Sequence, residues 1–329
     1  MPAPFLPYKK GATPMGGIAA GARLAPKRSR GLKDAIPFLL PSFVGFLVFT
    51  ILPMVTLLFV SVTDWDGLRE LTLFADPAGF MQEFFVGLAN YRGIFFSSEF
   101  YQVLGNTLKY VVLYMPAMLI LSMGVALVLS SKIRGTGVFR VLYYIPVLTS
   151  WVAGSLIWKW VLSPEYGVIN NLLGLFGIRG PSWLQSPQWA MVGIVIASVW
   201  KDMGYFGLML LSGLQGINRQ YYEAAQIDGA GRLRQFFRIT LPLLTPTLFF
   251  VLIISLINSF QLFPQVMIMT PDGGPSGSTM VMVERIYKYG FRYYEMGYAS
   301  AFSWILFAIL FVLTAIQMKF QNRWVNYDD

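Results

Sequence analysis

The sequence predicts an all-α integral membrane protein of about six transmembrane helices, with both termini in the cytoplasm. Three observations predict it. Apolar residues make up 56% of the 329-residue chain and charged residues only 12%, about half the charge of a soluble domain. Six apolar runs reach bilayer length at about 1.5 Å per residue. The charges between those runs segregate by sign.

The chain opens on a basic tail, 1–34, with seven Lys and Arg residues and a composition that favours disorder. The transmembrane domain follows as 35–329. Its first apolar run, 36–62, is too long for a secretory h-region and lacks a small-residue cleavage site, so it reads as an uncleaved span. The next runs are approximately 108–131, 138–162, 189–214, 241–270 and 298–318. Pro53, Pro116, Pro146 and Pro264 lie within the runs; membrane helices tolerate proline where neighbours satisfy the freed carbonyls.

The segments 1–34, 132–140, 215–240 and 319–329 hold sixteen basic residues against five acidic ones. The alternating set, 63–107, 163–188 and 271–297, holds six basic and ten acidic. Positive charge gathers on the cytoplasmic side, so the first set faces inward. The 63–107 loop is then external, and its aromatic second half, 84–100, reads as an interfacial helix. The net charge of +9 is explained by topology, so no nucleic-acid partner is expected; the partner of the spans is membrane lipid. With no cysteine and no histidine, disulfides, Cys nucleophiles and His acid–base chemistry are excluded. No catalytic residue, metal site or cofactor of this chain's own is expected.

The polar loop 215–240 interrupts two spans. Asn218 is placed to cap a helix through Tyr221, Tyr222, Glu223, Ala224 and Ala225. Asp228, Gly229 and Gly231 break it. A second short helix, roughly 232–239, leads to Leu241-Pro242. Such a bracket serves either as a capped connector on the membrane surface or as a docking site, in which small residues admit a partner and Tyr222 and Ile227 fill a pocket in it.

Polar groups inside apolar spans are costly and mark function by default. Ser255, Asn258 and Gln261 recur at i, i+3 and i+6 on one helix face. They line a cavity or bond neighbouring helices. Lys201-Asp202 interrupts the fourth run. Adjacent residues diverge by about 100° around a helix, so a salt bridge within the pair is awkward. Lys201 either snorkels or faces a cavity, and Asp202 either accepts hydroxyls or pairs with another helix. If Lys201 or Lys159 faces the cavity, an anionic ligand fits.

The stretch Glu223-Ala224-Ala225, then Asp228-Gly229-Ala230, Phe236, Ile239 and Leu241-Pro242, resembles the EAA loop of binding-protein-dependent ABC importer permeases. Further pieces resemble the carbohydrate-uptake branch, the maltose and glycerol-phosphate type. They are Asn90-Tyr91-Arg92, Asn106-Thr107, Phe139-Arg140, Gly213-Leu214-Gln215, Thr270 with Gly273-Gly274-Pro275, and Gly297-Tyr298-Ala299. The resemblance covers roughly 36–320 and implies the type I ABC importer fold in a bacterial or archaeal cytoplasmic membrane. It implies that Tyr222, Glu223, Ala224, Ala225, Asp228, Gly229 and Ala230 couple to a separate ATPase. It also implies that Asp202, Tyr205, Ser255, Asn258 and Gln261 lie near the sugar path.

Expected partners are a second, related permease in a heterodimer, two ATP-binding subunits and an extracytoplasmic solute-binding protein. The chain has no Walker A sequence, so ATP and magnesium are expected in the partner ATPase. The alternatives are a permease for an anionic saccharide or sugar phosphate such as glycerol phosphate, and a stand-alone secondary transporter.

Overall fold

The computed structural model describes residues 30–131 and 135–326. The predicted disordered tail and the basic residues Lys132 and Arg134 therefore lie mostly or wholly outside the described residues. The chain divides into two units, 1–53 and 54–329.

The first unit holds α1 (Arg30–Phe46), a π turn, Leu47–Ile51, and the first two residues of α2 (Leu52–Val60), the rest of which belongs to the second unit. The π turn has a cause in the sequence. Pro53 has no N–H, and its ring crowds the carbonyl four residues back. Widening the preceding turn relieves this, and Leu52 N–H reaches Leu47 O instead. Between Ile36 and Phe59 most side chains are apolar and exposed, Phe38 and Phe49 most of all, as suits a surface meeting lipid.

After α2 the second unit continues with short helices α3 (Pro77–Phe84) and α4 (Ala89–Phe96), then α5 (Ser98–Ser130). The expected single interfacial helix over 84–100 does not form. Gly87 takes φ +60° and Ser97 is extended, so the stretch breaks twice. Ser97 then caps α5 by accepting from Phe100 N–H, which starts the helix ten residues before its apolar run.

The third run is sharply bent: α6 (Thr136–Leu148) and α7 (Trp151–Val161) meet at 101°. After α8 (Val168–Leu175), α9 (Ala190–Gly216) crosses in one piece. The bracket helices α10 (Arg219–Ile227), α11 (Arg232–Gln235) and α12 (Leu241–Leu243) follow, a π turn at Phe236–Thr240 joining the last two. Here too the π turn precedes a Leu-Pro pair, for the same reason as at Pro53.

The fifth run differs most from expectation. Helix Arg232–Leu243 bends by 67° at Leu244 into α13 (Thr245–Phe260). A separate short helix, α14 (Pro264–Met269), completes the run. Last come α15 (Met282–Phe291) and α16 (Met296–Gln321). Among the described residues four helices are long and apolar enough to cross a membrane, or six if each bent pair is one span.

The core sits around α9. Tyr110, Tyr114 and Met118 of α5, Ile194, Phe206 and Leu210 of α9, and Val251 and Val266 beyond form its centre. In a bilayer apolar contact gives no net drive between helices, so close packing must hold them. Gly204 shows how close: a Cβ there would overlap the carbonyl oxygen of Tyr143 in α6. A second cluster joins Phe100, Val103, Phe260, Met282 and Phe302.

Several motif residues prove to be fasteners at one end of this bundle. Asn90 donates to Ser61 O and Thr63 O at 3.0 and 2.7 Å. Tyr91 shares a 2.8 Å hydrogen bond with Ser61. Asn106 donates to Gly277 O and Met280 O, and Thr107 Oγ1 accepts from Met282 N–H. Thus 63–107 and 271–297, which the charges assign to one side, do meet. Their junction holds an ion network. Glu284 and Lys288, both buried, pair at 2.9 Å. Arg285 reaches Glu99 at 2.9 Å. Lys288 and Arg292 hold Asp272 at 3.1 and 2.9 Å. The Lys288 hydrogen bond and charge, with Arg292 adding to them, hold the Asp272 carboxyl below its usual range.

Candidate functional site

Two polar regions stand out, and the first is the bracket. Asn218 caps α10 by accepting from Gln220 N–H at 3.0 Å. The helix ends in a Schellman motif: Ala230 N–H bonds Ala225 O and Gly229 N–H bonds Gln226 O. The motif needs a left-handed residue after the cap, and Gly229 supplies it at φ +75°. Gln235 Nε2 then donates to Ala230 O at 2.8 Å, bracing the turn.

Glu223 is exposed and pairs with Arg219 one turn back at 3.0 Å. At this exposure the pair adds little stability, so Glu223 stays available to another surface. Ala224, Asp228 and Gly229 are exposed, while Ala225 and Ala230 are half-buried. Ile227 is 87% exposed. Tyr222 departs from the partner-pocket reading: it is half-buried, and its hydroxyl shares a 2.9 Å hydrogen bond with Thr240 Oγ1. It braces α10 against the helix entering α13.

The second region is a cavity of about 340 Å3, at the lower end of the ligand-pocket range of roughly 300–1,000 Å3. Asp202 of α9 and Asn258 and Gln261 from the end of α13 line it together. Tyr114 donates to Asp202 Oδ2 at 2.7 Å, and Tyr110 stacks on Tyr114 at 5.2 Å. Trp151, Ser259 and Gln265 complete the polar and aromatic lining.

The helix end is what brings Asn258 and Gln261 inward: α13 stops at Phe260, and Gln261 caps it by donating to Asn258 O. Ser255 and Tyr205 are not among the lining residues. Ser255 is fully buried and donates to Leu252 O within its own helix at 3.2 Å. Tyr205 is 37% exposed and packs edge-on against Phe206.

Sequence reasoning missed Trp151, Tyr110, Tyr114 and Gln265. The pair Tyr110 and Tyr114 had a signal, two phenols at i, i+4 in an apolar run. Trp151 had none, since it enters the cavity only because its run is bent.

Lys201 was expected either to snorkel or to face the cavity. It does neither: its side chain is buried, and Nζ donates to Pro146 O, Val147 O and Thr149 O at 3.0, 3.1 and 2.6 Å.

Bent, apolar helices thus surround a polar cavity, and an exposed bracket leads into the helix that carries Asn258 to it. The chain belongs to the family of binding-protein-dependent transport system inner membrane components, whose model matches residues 13–327. It is thus a multi-pass inner-membrane permease subunit. The probable ABC transporter permease YesP of Bacillus subtilis (strain 168) is 36% identical over 312 residues, covering 92% of this chain and 96% of that one. The sulfoquinovosyl glycerol transport system permease SmoG of Agrobacterium fabrum is 35% identical over 235 residues, covering 71% and 76%. A crystal structure of a bacterial ABC transporter that imports the acidic polysaccharide alginate matches with a TM-score of 0.73. The match covers 89% of this chain and 98% of that one at 24% identity, a likeness of fold.

Proposed function

We propose that this chain is one permease half of an ATP-driven importer of a sugar or oligosaccharide, and that the cavity lies on the substrate's path. The convergence of Asp202, Asn258 and Gln261 with the Trp151 ring carries this reading. A carboxylate and two amides accept and donate to hydroxyls, and an indole offers an apolar face, the two needs of a saccharide. The relatives' names point to saccharides: SmoG is named for sulfoquinovosyl glycerol, and the alginate importer for an acidic polysaccharide.

The bracket 215–240 is then the docking site for separate ATP-binding subunits, on the cytoplasmic side with both termini. ATP and magnesium bind there, in the partner. A second, related permease completes the pathway as a heterodimer. An extracytoplasmic binding protein delivers the ligand; one solved alginate importer was captured with its pentasaccharide-bound periplasmic protein.

The test is uptake into proteoliposomes by the assembled importer, using the saccharide that a thermal-shift screen finds for its binding protein. Replacing both Asn258 and Gln261 by alanine should lower uptake about tenfold, the worth of one to two lost hydrogen bonds. The ATPase subunits should still co-purify. Unchanged uptake across concentrations would reject the cavity as the path. Transport by the purified chain on an ion gradient, without ATPase, would reject the whole reading.

A further inference from the structure

Lys201 and Asp202 are neighbours in sequence, yet the fold sends them in different directions. Asp202 faces the cavity. Lys201 is buried beside the break between α6 and α7, where its ammonium meets three carbonyls at the end of α6. Those carbonyls lie at the partly negative end of a helix, where a cation is favoured; Pro146 O also accepts from Thr149 N–H and Oγ1.

The same ammonium lies 5.2 Å from the Trp151 ring centroid, within cation–π range. Ser150 caps α7 by accepting from Ala153 N–H. Trp151, the first residue of α7, is thus fixed between a cap and a cation, and its ring lines the cavity. Among the described residues lining the cavity, Asp202 is the sole charged side chain.

We propose that Lys201 is a positioning residue that holds the bent run and its Trp151 platform in place. With Lys201 committed to backbone carbonyls, Asp202 is left as the cavity's one charge, so the cavity takes the uncharged part of a saccharide and disfavours carboxylate, sulfonate or phosphate. This rests on the reading of the cavity as the substrate path, and it places any acidic group of the ligand outside this cavity.

The test reads the cavity directly and needs no identified sugar. The chain has no cysteine, so a Gln261→Cys variant carries a single thiol on this subunit, at an exposed position lining the cavity. In the assembled importer, its modification rates with cationic, anionic and neutral methanethiosulfonate reagents are each divided by the rate for free 2-mercaptoethanol. The normalised preference for cation over anion should be about tenfold, from attraction and repulsion by one nearby carboxylate. Adding Asp202→Asn should bring it close to one. A preference of one or less in the Gln261→Cys protein itself overturns the charge assignment. So does failure of all three reagents, which means the cavity admits no solute.

For Lys201, hydrogen exchange of amides 149–155 is measured in Lys201→Met and Lys201→Arg. The methionine variant should exchange there at least about tenfold faster, and arginine should restore the protection. Equal protection in the wild type and Lys201→Met overturns the positioning role. If Lys201→Met does not assemble, the comparison of Lys201→Arg with the wild type and the thiol assay still decide. Loss of uptake in the Asn258 and Gln261 variants tests the path separately: a cavity on the path that prefers anions would sink this inference alone.

Discussion

Two glycines show that one residue type serves two different constraints. Gly229 needs its φ of +75°, while a Cβ there would meet nothing within 4 Å. Gly204 has ordinary helical geometry but no room, because the Tyr143 carbonyl lies against it. Gly229→Val should therefore strain only the bracket, by about 1–2 kcal/mol. Its spans should keep the wild-type melting temperature while ATP hydrolysis becomes uncoupled from uptake. Gly204→Val should force α6 and α9 apart and lower the melting temperature of the purified complex. An equal effect of both substitutions on melting would contradict the assignment. Gly229 was legible in the sequence, because Asp-Gly after an alanine-rich helix signals a left-handed cap. Lys201 was not. Its neighbour Asp202 and the water beyond the membrane were the partners within sight of a linear reading, and only the bent run brings three carbonyls above it.

At the scale of the element, α15 is the clearest case of a short helix held by charge. Glu284 and Lys288 are almost wholly buried and pair with each other, Arg285 lying 3.4 Å from Glu284 on its other side. Removing Lys288 leaves the buried Glu284 with Arg285 alone, at a cost of up to about 3–5 kcal/mol. Lys288→Ala should therefore lower the stability of the complex by that order, read from chemical denaturation of the 271–292 region by hydrogen exchange. Asp272 adds a pH dependence. Its carboxyl is held below the unfolded value of 3.8 by Lys288 and Arg292. Its contribution is then fully present above that value and is lost as pH falls through the lower folded value. Protection of the 271–277 loop should decline below about pH 4, and Asp272→Asn should abolish that decline. Because Asp272 is largely exposed, the effect is small. The spans themselves were legible as apolar runs, since bilayer length and hydropathy are properties of a linear sequence. Their bends were not. Pro146 lay within a run and Leu241-Pro242 closed the bracket, but a 101° break and a 67° break depend on what packs against each side.

Across the whole molecule, the bracket and the cavity draw on a single stretch of chain. The helix braced by Tyr222 ends at Leu244, and α13 carries Asn258 from there to the cavity. The joint between them is firmly seated. Leu244 is fully buried, Thr245 donates to Pro242 O, and Asn326 N–H donates to Thr245 Oγ1. A bend flanked by two stiff helices is a lever with its fulcrum at Leu244. At about 1.5 Å per residue, Asn258 sits roughly 20 Å from that fulcrum. A turn of about 10° there sweeps Asn258 through roughly 3 Å, the length of a hydrogen bond. If an ATPase docks at the bracket and the cavity holds a sugar, as proposed, a modest push at the bracket is magnified into the difference between holding a hydroxyl and letting it go.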